Sequence, residues 1–168
     1  PSSIFTDAYT GSLQSAADLY GNSSSQYSAV QDAWTAVGVG IYCDGVTTLT
    51  ASSGTFTDGS GNANYNRYSD CKWLIDVPGA TSIDLSFSAF DTEAGYDGII
   101  VYDGNTISAT ALDTFSGQSI PPTITSSGSQ LLVRFISDAY ITSTGWSANY
   151  TATVPPIYGC IDPTACNY

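Results

Sequence analysis

From about Tyr42 apolar residues recur at every second position in several short runs, and this constrains the fold more than any other feature. Cys71, Trp73, Ile75 and Val77 alternate with Lys72, Leu74 and Asp76. Ile83, Leu85, Phe87 and Ala89 alternate with Ser82, Asp84, Ser86 and Ser88. Leu131, Val133 and Phe135 form a third set; Trp146, Ala148 and Tyr150 form a fourth. Successive side chains of a strand point to opposite faces, so each run predicts a half-buried strand. Gly98 to Tyr102 is a short β-branched run closed by the turn pair Asp103-Gly104. Further turn signals stand at Asp58-Gly59, Pro78-Gly79 and Ser127-Gly128. Short strands at this spacing predict an antiparallel β-sandwich of about 110 residues.

The first forty residues follow a different period. Leu13, Ala16, Ala17 and Tyr20 fall at i, i+3, i+4 and i+7, with Gly21 as a stop. Val30, Ala33, Trp34 and Val37 repeat the spacing, with Ser23-Ser24-Ser25 as a cap and Gly38 as a stop. An N-terminal α-helical hairpin is expected, whose apolar faces need a partner surface because two short helices bury little alone. At the other end, Val154-Pro155-Pro156 suits an extended linker. The tail from Gly159 to Tyr168 is too short to fold as a domain. A Cys160–Cys166 bond would close a small loop there; a tail cut at a boundary is the alternative reading.

Charge narrows the function. Fifteen acidic residues face only Arg67, Lys72 and Arg134, a net charge of −12. Phosphate neutralisation needs Lys and Arg, so a nucleic-acid partner is not expected, and an anionic membrane surface repels the chain. No apolar run is long enough to span a bilayer. Histidine is absent, which removes Ser-His-Asp and Cys-His catalysis and every His-ligated zinc site within this chain. No catalytic residue and no organic-cofactor site is expected. The four cysteines, Cys43, Cys71, Cys160 and Cys166, favour disulfides in an oxidising compartment, with three pairings open. The chain opens at Pro1 without a methionine, as a processed or excised piece would.

Glu93 is the only glutamate. It lies in the polar segment Phe90-Asp91-Thr92-Glu93-Ala94-Gly95-Tyr96-Asp97-Gly98 between two strands, and Asp138 ends a later strand. Three carboxylates in loops beside strand ends suit a hard cation; calcium takes six to eight oxygens, with carbonyls and water completing the shell. Solvated loop acids are the plain alternative. A carboxylate pair for glycoside hydrolysis is a third reading, though nothing points to a deep sugar cleft.

Residues 43–153 resemble a CUB domain. The resemblance is carried by Cys43, Gly54-x-Phe56-x-Asp58, Tyr65 ahead of Cys71-Lys72-Trp73-x-Ile75, and Phe90-Asp91-x-Glu93. Tyr96-Asp97, Val101-Tyr102-Asp103-Gly104, Phe135-x-Ser137-Asp138 and Gly145-Trp146-x-Ala148-x-Tyr150 continue it. It implies a jelly-roll-like sandwich, extracellular placement and a role in binding proteins or sugars. It implies calcium held by Glu93, Asp97 and Asp138 with carbonyls near Tyr140 and Ile141, and leaves Asp91 structural. It also implies a Cys43–Cys71 disulfide. A second disulfide of the family is missing, its positions falling near Ala94 and at Ser116, and the Glu93-to-Asp97 loop is short. Both departures point to a bacterial relative.

Residues 1–40 resemble the C-terminal end of a thermolysin-like zinc metalloprotease, on Phe5-Thr6-Asp7-Ala8, Ala16-Ala17-Asp18-Leu19-Tyr20-Gly21 and Ala33-Trp34-x-Ala36-Val37-Gly38-Val39. That family's zinc ligands and catalytic glutamate lie upstream of such a segment. The resemblance thus implies a non-catalytic C-terminal part of a secreted metalloendopeptidase: peptidase helices over 1–40, a CUB domain over 43–153, and a linker and tail over 154–168. Zinc would belong only to the missing catalytic domain, and calcium to the CUB module. The CUB module would bind a protein or a polysaccharide. The alternative is a free-standing extracellular adhesion or carbohydrate-binding module, with Tyr65, Tyr68 and Tyr140 available to stack on a sugar.

Overall fold

In the computed structural model the alternating runs become strands whose apolar sides meet. Residues 3–21, 24–36, 43, 45–61, 64–67 and 69–156 are described. The strands are β1 Val46–Leu49, β2 Ser53–Thr57, β3 Asp70–Asp76, β4 Ser82–Asp91, β5 Gly98–Asp103, β6 Thr110–Phe115, β7 Ile124–Thr125, β8 Gln130–Ile136 and β9 Gly145–Thr153. They form two sheets, β1-β3-β8-β5-β6 and β2-β9-β4-β7. Cys71, Trp73 and Ile75 of β3, with Leu131, Val133 and Phe135 of β8, face Ile83, Leu85 and Phe87 of β4 and Trp146, Ala148 and Tyr150 of β9 across a shared core. A register shift between Phe87 and Ala89 turns Phe90 inward and leaves Ala89, expected on the buried side, exposed.

Edge-on aromatic contacts fill the centre. Trp73 and Trp146 lie 5.0 Å apart between ring centroids, and Tyr65 and Phe135 also 5.0 Å. One polar knot enters this core. Buried Asp58 accepts from the backbone N–H of Trp146 at 3.0 Å and from Ser60 N and Oγ at 2.8 and 2.7 Å. Gly145, at φ +82°, leaves room for that carboxylate, which a Cβ there would overlap.

One pairing departs from the expected antiparallel order: β1 runs parallel to β3, Val46 opposite Lys72 and Leu49 opposite Ile75. The Cys43–Cys71 disulfide gives the physical reason. It holds the two Cα atoms 4.8 Å apart just before β1 and at the start of β3, so both strands leave the bond in the same direction.

The helices are α1 Ser3–Tyr20 and α2 Ser25–Ala36. They meet through Tyr9 and Trp34, whose rings stand edge to face at 6.2 Å, and through the Trp34 indole N–H, which donates to Ser12 Oγ at 2.7 Å. Gly21, at φ +85°, ends α1 with its N–H on the Ala17 carbonyl, and Ser24 Oγ caps α2 by accepting from Tyr27 N. The predicted stripe is only partly buried: Ala16 is inside, but Tyr20 is exposed, and Tyr9 takes the inward place one turn before Leu13. Val37, Gly38, Cys160 and Cys166 lie outside the described residues. Among the described residues no helix is long and apolar enough to cross a membrane.

Candidate metal centre

The end of β4, the start of β5 and the end of β8 meet at one rim of the sandwich. Gly98 of β5 pairs with Ile136 of β8, so the residue before β5 stands beside the residues after β8. Asp97 and Asp138 come together for that reason. The 93–97 segment closes a tight turn, with Asp97 N and Tyr96 N donating to the Glu93 carbonyl at 3.0 and 3.3 Å. This returns Glu93 to the same place. Oxygens of Glu93, Asp97 and Asp138 then lie within 4.8 Å of one another.

Asp97 is the inner member, only 1% exposed. Its Oδ2 accepts from the Tyr65 hydroxyl at 2.6 Å and its Oδ1 from the Asp138 N–H at 2.7 Å. The Tyr65 hydroxyl in turn accepts from Glu93 N at 3.0 Å, so one buried phenol binds to two of the three acidic residues. Asp138 Oδ1 accepts from Tyr140 N at 2.8 Å. Oε2 of Glu93 is buried without a hydrogen-bond partner among the described residues.

Electrostatics follow from this crowding. Burial raises the Glu93 carboxyl above its ordinary value, the Asp138 and Asp97 carboxylates add to the rise, and the Ile141 backbone N–H opposes it. Burial first, then the bond to Asp97, pushes the Tyr65 phenol well above the usual tyrosine range, so it stays a donor. Three carboxylates, one with an unmatched oxygen, form a cluster that has no ion-pair partner among the described residues.

The three acids named from the sequence are thus brought together. Asp91 stays outside the group, accepting from Gln118 Nε2 at 3.2 Å and Thr144 Oγ1 at 3.0 Å. Tyr65 is not a sugar platform: it is 3% exposed and its hydroxyl is engaged. Its place in the motif ahead of Cys71 was visible, but its bond to a residue 32 positions later was not. Tyr68 lies outside the described residues. Tyr140 is 73% exposed, and Tyr96 and Ile141 are also exposed beside the acids.

Comparison with known proteins agrees with this architecture. Residues 43–150 match the CUB domain family, and residues 1–39 match the thermolysin metallopeptidase α-helical domain. Pig cubilin is 35% identical over 125 residues, which cover 69% of this chain and 3% of cubilin. Exoskeleton protein RP43 of Riftia pachyptila is 31% identical over 116 residues, covering 66% of this chain and 27% of that protein. The chain therefore spans a small part of these relatives. Among solved structures, the MASP-1 CUB2 domain bound to Ca2+ superposes with a TM-score of 0.58 at 26% identity, covering 66% of this chain and all of that one. With more than half of its length matched, the chain belongs to the CUB domain family, and its first 39 residues carry the mark of a thermolysin metallopeptidase α-helical domain.

Proposed function

We propose that the CUB module binds one calcium ion through Glu93, Asp97 and Asp138. The observation that carries this is the convergence of three carboxylates within 4.8 Å, one with a buried, unpartnered oxygen. Oxygens sharing one calcium at 2.3–2.6 Å lie no more than about 5 Å apart, so the spacing fits the ion. The donor set fits as well: all oxygen, no nitrogen or sulfur, and open to carbonyls of the 138–141 loop and to water. Calcium supplies positive charge that neutralises the acids. The protein's own residues do the rest. Tyr65 orients Asp97 and the Glu93 backbone, and the Asp138 N–H fixes the second oxygen of Asp97. The calcium bound by the MASP-1 CUB2 neighbour supports this reading. Isothermal titration of the decalcified chain should give one calcium per chain, and Asp138→Asn should lose most of the heat; a flat titration with wild-type protein would overturn the assignment.

The organisation we infer is peptidase helices over 1–40, a CUB domain over 43–153 and a linker with tail over 154–168. The chain is then the non-catalytic C-terminal part of a secreted bacterial thermolysin-like metalloendopeptidase, with zinc only in the upstream catalytic domain. The match of residues 1–39 supports this. The CUB module would serve substrate or surface binding outside the cell. Exposed Tyr96 and Tyr140 beside the acids favour the second reading, a free-standing adhesion or carbohydrate module. The intact mass and zinc content of the native secreted product separate the two: a zinc-containing catalytic domain joined before Pro1 supports the peptidase, and a product starting at these helices overturns it.

A further inference from the structure

We propose that the Phe115-Ser116-Gly117 segment is a clasp that sets the geometry of the Glu93–Asp97 loop, with Thr92 and Ser116 as positioning residues for calcium. The inference rests on the calcium reading above. Three successive residues of the segment touch the loop at its beginning, middle and end. At the beginning, Thr92 and Gly117 exchange two bonds: Thr92 N donates to the Gly117 carbonyl and Gly117 N donates to Thr92 Oγ1, both at 2.9 Å. In the middle, Gly95 N donates to Ser116 Oγ at 3.0 Å. At the end, the Phe115 carbonyl lies so close against Gly98 that no Cβ fits there.

Thr92 is 3% exposed, a buried hydroxyl one residue before Glu93, and it touches none of the three acids in the bonds described. Its hydroxyl is the acceptor for a buried N–H, so removing it leaves that group unpaired and frees the loop entrance. The clasp matters because the three acids come from separate elements. Tyr65 holds Asp97 and Glu93 N, and the Asp138 N–H holds Asp97, whereas the loop entrance one residue before Glu93 is held by the Thr92–Gly117 pair. Near Ala94 and at Ser116, where the resemblance implies a missing disulfide, the chain holds the loop with hydrogen bonds instead.

Calcium affinity of the whole chain, read by isothermal titration, tests this. Partners of metal ligands typically change affinity 10- to 100-fold when removed. Thr92 stands one step further out, bonded to the clasp and not to an acid, so Thr92→Val, which keeps the shape and removes the acceptor, should raise Kd several-fold, up to about 10-fold. Thr92→Ser, which restores an acceptor, should recover most of it, and Ser116→Ala should give a smaller weakening. A merely structural role would lower the calcium-free melting temperature in Thr92→Val and leave Kd unchanged. That outcome, with wild-type protein binding calcium, overturns the clasp alone. Absence of saturable binding by wild-type protein overturns the calcium reading and the clasp with it.

Discussion

Tyr65→Phe isolates the polar contribution of one atom. The ring stays, and with it the packing against Phe135 at 5.0 Å. Two bonds go: the donor to Asp97 at 2.6 Å and the acceptor for Glu93 N at 3.0 Å. A hydrogen bond to a charged group contributes about 1.5–3 kcal/mol, and the partly buried Glu93 N–H left without its partner costs about 1 kcal/mol. The expected loss is about 3 kcal/mol, a fall in melting temperature on the order of 10 °C for a domain of this size. Scanning calorimetry at pH 7 in EDTA measures it without a ligand contribution. The pH dependence adds a second signature. The phenol titrates higher in the folded chain than in the unfolded one, because of burial and then Asp97. Its contribution is therefore intact below the ordinary tyrosine value and falls as pH rises towards the folded one. Above pH 10 wild-type protein should lose up to about 1.4 kcal/mol per pH unit from this group, a component Tyr65→Phe lacks. A melting temperature within about 2 °C of wild type and parallel alkaline limbs would show that the Tyr65 hydroxyl contributes nothing through Asp97 or Glu93 N.

Gly145→Ala combines a positive φ with a Cβ inside the Asp58 carboxylate, and should destabilise by more than about 4 kcal/mol, leaving little folded protein by near-ultraviolet circular dichroism. Opening Cys43–Cys71, by reduction or Cys43→Ala, releases a loop with a sequence separation of 28, which corresponds to about 3.5 kcal/mol in denaturant midpoint experiments. Arg134, then Lys72, holds the Asp70 carboxyl down at about 2. Its contribution is present above the ordinary carboxylate value and lost as pH falls through the folded one. Because Asp70 is half exposed, Asp70→Asn should cost less than about 1 kcal/mol at pH 7 and flatten a small part of the acid limb in urea midpoints.

The strands that bury one face were legible because burial imposes a period of two: β3 and β9 follow the alternation, β4 follows it only as far as Phe87, where a register shift exposes Ala89 and buries Phe90, and β8 departs at Leu132, which is buried beside Leu131 and Val133. The edges were not. β1 is exposed nearly throughout, and β7 is only two residues long. β6 is interrupted where Leu112 loses its partner between Asp113 and Ala111. The parallel β1–β3 pair was not legible in the periodicity, which carries no strand direction; the Cys43–Cys71 bond that ties the starts of both strands does. The same holds for the site. Its three acids stood out by loop position and family motif, whereas the bonds of Tyr65 and Thr92 act across 32 and 25 residues of chain and leave no local trace. Tyr20 reads as part of an apolar stripe, yet nothing in the described chain covers it.

Calcium binding at Glu93, Asp97 and Asp138 is tested most directly by thermal melts of wild-type protein and Asp97→Asn in calcium, magnesium and EDTA. At one hundred times the dissociation constant a ligand of the folded state adds about 2.7 kcal/mol. Wild-type protein should therefore melt roughly 10 °C higher in calcium than in EDTA, with magnesium giving much less because it demands tighter octahedral geometry. Asp97→Asn should lose that gain, while Asp103→Asn, whose Oδ1 still accepts from Ser127 N, should keep it. Superimposed wild-type melts in calcium and EDTA would show that the three carboxylates hold no calcium.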